Sequence, residues 1–349
     1  MRPGAQRGIG LVETLVGIVV GLLVTLVIYQ LFAGFEAQRR VTVSSAGAQQ
    51  SGAVALSVLA RAIAIAGWGS VSAAAPNCAS VRTWDSNPGA PLAVGVSMQP
   101  VVILDGGGGL SDTLIVSRGG ATRAAAPLAL RKTMAGPGEA LSVMTTTGLS
   151  PGDHVWVTDG SQCTLMAIST VDQAQGTLGH DPGPAWPYNP SAAQLAGWPA
   201  YPAGARIYSL GTLVSQRFGV TGGDLVVNDV ARTLSGLVDN VVAAHVVNLQ
   251  AQYGISADLA PQAPINQWVD GGAVAGLHPG RIKAVRLALV TRGDEARRPD
   301  AGGTCAPPVL PLPWPGASPF DLSGAPDWAC YRYQVHQTIV PLRNVLLSL

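Results

Sequence analysis

Residues 9–35 form an apolar run of 27 positions in which Glu13 is the only charged side chain. That exceeds the roughly 20 residues a membrane-crossing helix needs. Helical periodicity continues beyond the run. Leu56, Leu59, Ile63 and Ala66 recur at intervals of three, four and three, and Val41, Ala48 and Ala55 extend the same stripe more weakly. No proline interrupts Ile9 to Ala66, whereas Gly67-Trp68-Gly69 and then Pro76 supply stop signals. The pattern predicts one helix over 9–66, about 87 Å long at 1.5 Å per residue, with Gly34, Gly47 and Gly52 as soft points. Its first half is apolar all round, and its second half, 36–69, is amphipathic and suited to packing on a folded domain.

After residue 76 the period shortens to two. Val101–Leu104, Asp112–Val116, Asp153–Thr158, Leu165–Ile168, Ile282–Val290 and Tyr331–Val340 read as strands between Gly, Pro and Asp clusters. Arg206–Leu210 and Thr212–Val214 predict a hairpin across Gly211, and Val238–Gln250 predicts a further helix or helix–strand unit. Residues 70–349 therefore read as a β-rich domain, giving an α+β chain. Two segments are rich in proline and aromatics. Asp181–Pro202 carries Trp186, Tyr188, Trp198 and Tyr201, and Cys305–Pro326 carries Trp314 and Phe320. Their aromatics serve either to cover a sparse core or to form a recognition surface.

Composition narrows the function classes. Charged residues make up 12% of the chain, about half the usual share. Residues 41–349 hold 17 basic and 18 acidic side chains, a balance with no electrostatic footprint for nucleic acid. Four cysteines, Cys78, Cys163, Cys305 and Cys330, suit disulfides in a translocated domain. Of the three possible pairings, Cys305–Cys330 with Cys78–Cys163 is favoured, because the first would staple a proline-rich loop. No close-set Cys or His pair suggests zinc, and no metal or cofactor is expected. The Gly106–Gly109 tract is followed by a strand rather than a helix, so it reads as a turn and not as a phosphate cradle. His154, His180, His245, His278 and His336 are scattered, no G-x-S-x-G elbow is present, and no catalytic residues are assigned. Arg292, Arg297 and Arg298 alternate with Asp294, Glu295 and Asp300, as in a solvated loop.

The amino terminus carries the most specific signal. A carboxylate within a membrane helix costs roughly 2.5–3.5 kcal/mol on insertion scales, so Glu13 needs a partner or a purpose. A secretory signal has an apolar core of only about 7–15 residues, with its cleavage site after that core. A plain anchor fits the length without accounting for Glu13. The stretch Gln6-Arg7-Gly8-Ile9-Gly10-Leu11-Val12-Glu13 resembles the processing site of type IV prepilins. The resemblance implies a leader at 1–8, cleavage between Gly8 and Ile9 by a prepilin peptidase, methylation of Ile9, and a membrane and assembly helix at 9–35. Arg2 and Arg7 put the leader on the cytoplasmic side of the inner membrane, with the large domain in the periplasm.

Further segments are similar to PilW-type minor pilins. They are Gln49 through Gly69, Ser111–Val116, Leu237–Val241 leading to Gln250–Gly254, Arg281–Leu287 and Thr338–Asn344. The resemblance implies a type IV pilin-like fold and a structural, non-enzymatic role: priming pilus assembly and sitting at the pilus tip. Implied partners are other minor and major pilins, the inner-membrane assembly platform and membrane lipid, with Glu13 pairing to a neighbour's amino terminus. Three positions depart from the family pattern. Ile9 stands where phenylalanine is usual. Ile255–Ala260 has a single acid where relatives hold an aspartate-rich stretch, so no calcium site is expected. Pro341 replaces a typical strand residue and predicts an edge or bulge. A type II secretion pseudopilin of the GspJ kind shares the same leader and layout, and a membrane-anchored periplasmic enzyme is the alternative of another class.

Overall fold

The computed structural model describes residues 10–67, 80–82, 99–120, 126–136, 138–181, 186, 188–189, 199–230, 238–274, 277–297, 299, 302–325 and 327–346. Helix α1 runs unbroken over Leu11–Ala64, passing through all three expected soft points. Residues 11–36 and 38–40 lie exposed along the surface. Below them Ser44, Ala48, Gly52, Ala55, Leu59, Ile63 and Ala66 are buried at spacings of three and four, the helical period. Leu56, expected within that stripe, is only half-buried, and the smaller Ala55 takes the inner position.

Seventeen strands follow among the described residues. In chain order they are β1 (Ser80–Arg82), β2 (Val101–Leu104), β3 (Thr113–Gly119), β4 (Leu128–Ala129), β5 (Leu141–Ser142), β6 (His154–Thr158), β7 (Gln162–Ala167), β8 (Thr170–Asp172) and β9 (Thr177–Gly179). Then come β10 (Arg206–Gly211), β11 (Leu213–Thr221), β12 (Asp224–Asp229), β13 (Asn240–Ala243), β14 (Val246–Ile255), β15 (Gln267–Val269), β16 (Ile282–Arg292) and β17 (Tyr333–Pro341). A short helix, α2 (Arg343–Leu346), closes the described chain. The architecture is α+β: a long amino-terminal apolar helix on a β-rich domain.

Two sheets, ordered β15-β14-β16-β17 and β13-β12-β11-β3-β2, share one core with the lower half of α1. The helix packs chiefly on β16 and β17, whose central strand alternates tightly buried Val285, Leu287 and Leu289. Contact is close because the helix offers small residues. A Cβ at Gly52 would run into the imidazole of His336 on β17, which itself bonds Thr291 Oγ1 at 2.9 Å. The lower helix end is closed by the far end of the chain. Asn344 donates to the carbonyls of Ile65 and Ala66 at 3.0 and 2.9 Å, satisfying acceptors that the helix leaves over. Gly67 then donates to Ser117 on β3 at 2.8 Å.

Two buried polar side chains stitch the sheets together. Tyr253 on β14 accepts from Ile103 N at 2.6 Å and donates to Val101 O at 3.0 Å, both on β2. Asp112, just before β3, accepts from Gly106 N at 3.0 Å and from Ala251 N on β14 at 2.7 Å. Burial pushes the Asp112 carboxyl up to about 6, against the lowering effect of those two amides.

Two sequence expectations need correction. β10 and β11 are not a hairpin: β10 pairs with β6 and β4, whereas β11 pairs with β3 and β12. Gly211, at φ 61°, turns the chain from one sheet into another. Val238–Gln250 contains no helix. It is β13, then a left-handed His245 at φ 60°, then β14 in a different sheet. The first error arises because local alternation looks the same whether successive strands pair or part; in the second, a change of sheet at His245 breaks the alternation and imitates a helical interruption.

The switch at Gly211 also bounds an inserted module. Gly119 on β3 faces Leu213 on β11, so residues 120–212 loop out between two directly paired strands. They supply strands β4 to β10, which form the order β7-β6-β10-β4, joined at the β7 edge by β1 from before the insertion, and the small sheet β5-β9-β8. Their own core gathers Met134, Leu141, Val155, Met166, Leu178 and Tyr201. The β-rich region expected at 70–349 thus holds more than one hydrophobic core.

Two predictions follow from these contacts. Because the folded-state value of Asp112 lies above its ordinary 3.8, the folded chain holds that proton more tightly than the unfolded one. Its contribution to stability is therefore fullest below pH 4 and is lost as pH rises through 6, by about 3 kcal/mol in all. Urea unfolding of the detergent-solubilised chain between pH 4 and 7 should show this fall, and Asp112→Asn should remove it; equal slopes in both chains would refute the assignment. Gly52→Ala should cost roughly 1–3 kcal/mol through overpacking, with part of the loss recovered by adding His336→Ala, as read by urea midpoints.

Candidate functional site

The candidate site is the upper part of α1 and the place where it leaves the domain. Helix α1 starts after Gly10, with no side-chain cap. Gly10 O accepts from the amides of Glu13 and Thr14 at 2.9 and 3.2 Å. Glu13 therefore sits in the first turn, where a carboxylate complements the positive end of the helix dipole. That favourable placement is local. It does not remove the cost of an exposed acid among Leu11, Val12, Leu15 and Val16, which are all exposed. Gly8 and Ile9, the expected cleavage and methylation positions, lie outside the described residues. By length and composition, the exposed apolar part of Leu11–Ala64 is long enough to cross a membrane.

Charge returns at the end of this span. Glu36 pairs with Arg40 at 3.2 Å and with Arg39 at 3.7 Å. Exposed pairs of this kind add little stability. One helical turn further on, Ser45 receives two hydrogen bonds from Gln334 of β17, at 2.7 Å to its hydroxyl and 3.1 Å to its carbonyl. Between α1 and the domain edge lies a groove of about 1020 Å³, lined by Tyr29, Ala33 and Arg40 on the helix and by Arg297, Arg332 and Tyr333 on the domain.

The domain side of the groove is fixed by covalent and polar ties. Cys305 and Cys330 form a disulfide with Cα atoms 5.1 Å apart. Arg297 donates to the carbonyls of Ala306 and Ala329, next to each cysteine, at 3.2 and 2.9 Å. Arg292 lies over the Tyr331 ring at 4.4 Å. The arginine-rich segment is exposed over 294–297, as expected of a solvated loop, yet Arg292 and Arg297 are held by the two disulfide-linked segments; Arg298 and Asp300 lie outside the described residues. Cys163 is also disulfide-bonded, within β7 where it faces Val81 of β1. Cys78 lies outside the described residues.

The proline-rich segment after Cys305 covers the sheet. Trp314 is buried, and the guanidinium of Arg286 on β16 lies between it and Trp268 on β15, at 4.5 and 4.8 Å. Asn248 ties the same segment to the glycine tract, donating to Gly109 O at 2.9 Å and Asp321 O at 3.1 Å. A Cβ at Gly109 would meet Pro319 O, so the tract is a docking platform for this loop. Tyr188 and Tyr201 of the other proline-rich segment are buried as well; Trp198 lies outside the described residues. At Leu259 and Ala260, within the stretch where no calcium site is expected, the carbonyls accept from the ammonium of buried Lys283 at 3.3 and 2.9 Å. Pro341 ends β17 at the sheet edge, facing Ala284.

Among the described residues no cluster of metal-ligating side chains occurs. The histidines meet structural partners. His180 bonds Glu139 O at 2.8 Å and is held below the usual histidine value by burial, His245 faces Asp294 at 3.0 Å, and His278 accepts from Gly280 N at 3.0 Å. The groove residues Arg332, Tyr333 and Gln334 escaped sequence reasoning, because their strand pattern carries no trace of the distant helix they face.

No family model and no curated relative matches the chain. Among solved structures, it is similar to a type IV-like pilin from Thermus thermophilus at 12% identity and a TM-score of 0.34, covering 85% of this chain and 96% of that chain. A likeness at that level adds no weight to any functional reading.

The disulfide generates the prediction here. Closing 25 residues should contribute about 3 kcal/mol by loop-closure entropy. Cys305→Ser with Cys330→Ser should lower the urea stability by that order and speed proteolysis within 306–326. An unchanged cleavage rate would mean that the Trp314 and Asn248 contacts hold the loop alone.

Proposed function

We propose that the chain is a minor pilin of type IV pili, anchored in the inner membrane by α1 with its β-rich domain in the periplasm. In this reading a prepilin peptidase cuts between Gly8 and Ile9, Ile9 is methylated, and the mature subunit joins other minor and major pilins at the assembly platform. It helps initiate the pilus and stays at the tip. The observation that carries the reading is the position of Glu13. It is the lone charge on an exposed apolar span that continues without a break into the helix packed in the domain core.

The physical logic is charge neutralisation at a fixed height. Away from water, a carboxylate and an amino terminus on adjacent helices each cost several kcal/mol unless they meet. Parallel packing of apolar spans brings neighbouring amino termini near Glu13 only at one axial offset, so the pair would set register. A role in a fibre also suits a chain whose aromatic loops are spent on its own core. A secretion pseudopilin would use the same pairing, and the assay below separates it by its readout.

Intact mass and amino-terminal sequencing of the membrane-extracted protein provide the test. A mature chain beginning at methylated Ile9 is expected, with Gly8→Ala retaining the leader. Glu13→Gln should be processed normally yet reduce surface piliation about tenfold or more in a strain lacking the native copy, while protein secretion is unaffected. Retention of Met1 in every chain, or full piliation by Glu13→Gln, would sink the reading.

A further inference from the structure

The groove where α1 leaves the domain changes character along its length. Tyr29 and Ala33 belong to the apolar span, and Arg40, Arg297 and Arg332 stand just beyond its end. Two carboxylates, Glu36 and Glu295, share the lining, but Glu36 is already taken up by Arg39 and Arg40. Arg332 is exposed and has no ion-pair partner among the described residues. Arg297 spends one nitrogen on two loop carbonyls, which fixes its guanidinium in place.

We propose that this groove is a binding site for one anionic glycerophospholipid of the outer leaflet, with its phosphate on the arginines and an acyl chain along α1. The inference rests on the anchored reading above, which sets the end of the apolar span at the membrane surface. Guanidinium groups form paired, directional hydrogen bonds to phosphate oxygens. Tyr29, which lines the same groove, has the amphipathic ring favoured at the headgroup boundary. A ligand that is apolar at one end and anionic at the other matches both walls. A neighbouring apolar helix would satisfy Tyr29 and Ala33 and leave Arg332 without a counter-charge. The site would hold the domain at a set angle to the membrane before assembly, and extraction from the bilayer would require the lipid to leave.

Native mass spectrometry of the full-length protein in detergent tests this, with phosphatidylglycerol, phosphatidylcholine of the same acyl chains, or inorganic phosphate added. One retained phosphatidylglycerol per chain is expected, at least fivefold over phosphatidylcholine. Arg332→Gln should cut retention at least threefold, while Arg217→Gln, at an exposed position of β11, should leave it unchanged. Equal uptake of both lipids, or insensitivity to Arg332→Gln, overturns the proposal. Phosphate adducts without lipid adducts would make it a free-phosphate site and overturn it too, as would displacement of the lipid by a second copy of the chain. Alkaline extraction of membranes separates the two readings. Release of the protein defeats the anchor itself, whereas a retained protein with no lipid adduct defeats the groove alone.

Discussion

Everything in this molecule depends on the close fit between the lower half of α1 and the strands β16 and β17. The helix has 54 residues, and in a folded protein most helical stability comes from tertiary packing rather than from propensity. Here the supporting face is built from alanine and glycine, with Leu59 and Ile63 as the only large side chains fully buried along it. Small residues bring the helix axis close to the sheet, as the His336–Gly52 approach shows. Because the same rod is exposed and apolar above residue 40, the domain is rigidly coupled to whatever surrounds the upper span. A flexible linker would lose that coupling. The cap supplied by Asn344 secures the opposite end, so the chain's first and last elements lock each other.

The β domain answers a second constraint, which is to hold two sheets at one core with few large side chains. Aromatics form 5% of the chain, and the structure uses them where polar handles also matter. Tyr253 buries its ring and ties its own strand to β2 of the opposite sheet by its hydroxyl. Asp112 does the equivalent work with a carboxylate, at a cost visible in its raised pKa. Buried polar groups of this type are expensive when half-satisfied and specific when complete. Their partners here are backbone amides, which no substitution of the partner residue readily removes.

Much of this was legible in the sequence. The stripe Ala48, Ala55, Leu59, Ile63, Ala66 is set by the helical period, and the strands around Val101, Thr113, His154 and Ile282 by alternation between turn residues. Gly106–Gly109 read correctly as a turn. What alternation does not encode is the partner of each strand. The chain leaves one sheet for another at Gly211 and at His245, and both were read as continuous local units. The groove was invisible for the same reason: Gln334 and Ser45, which stand 289 positions apart, meet there. Gly52 looked like a weakness in the helix, because a missing side chain is informative only once the opposing imidazole is known. The carboxylate of Glu13, by contrast, stood out without any structure, since hydrophobic context alone makes a lone charge costly.

The disulfide-linked segment connects these themes. Cys305–Cys330 closes a loop that reaches the far face of the sheet, where Trp314 stacks on Arg286, and its root anchors Arg297 beside the helix. One covalent tie therefore steadies both the cover over a sparse core and the wall of the groove at the end of the apolar span. In the unfolded chain that loop is flexible, and its closure entropy is the term the bridge removes. In the folded chain the bridge matters more for placement. A guanidinium held by two carbonyls keeps its remaining donors pointed in a fixed arrangement, whereas a free arginine would lose rotamer entropy on binding an anion. Preorganisation of this kind would favour the anionic ligand proposed for the groove, and the arginines that line it stand just beyond the end of the apolar span.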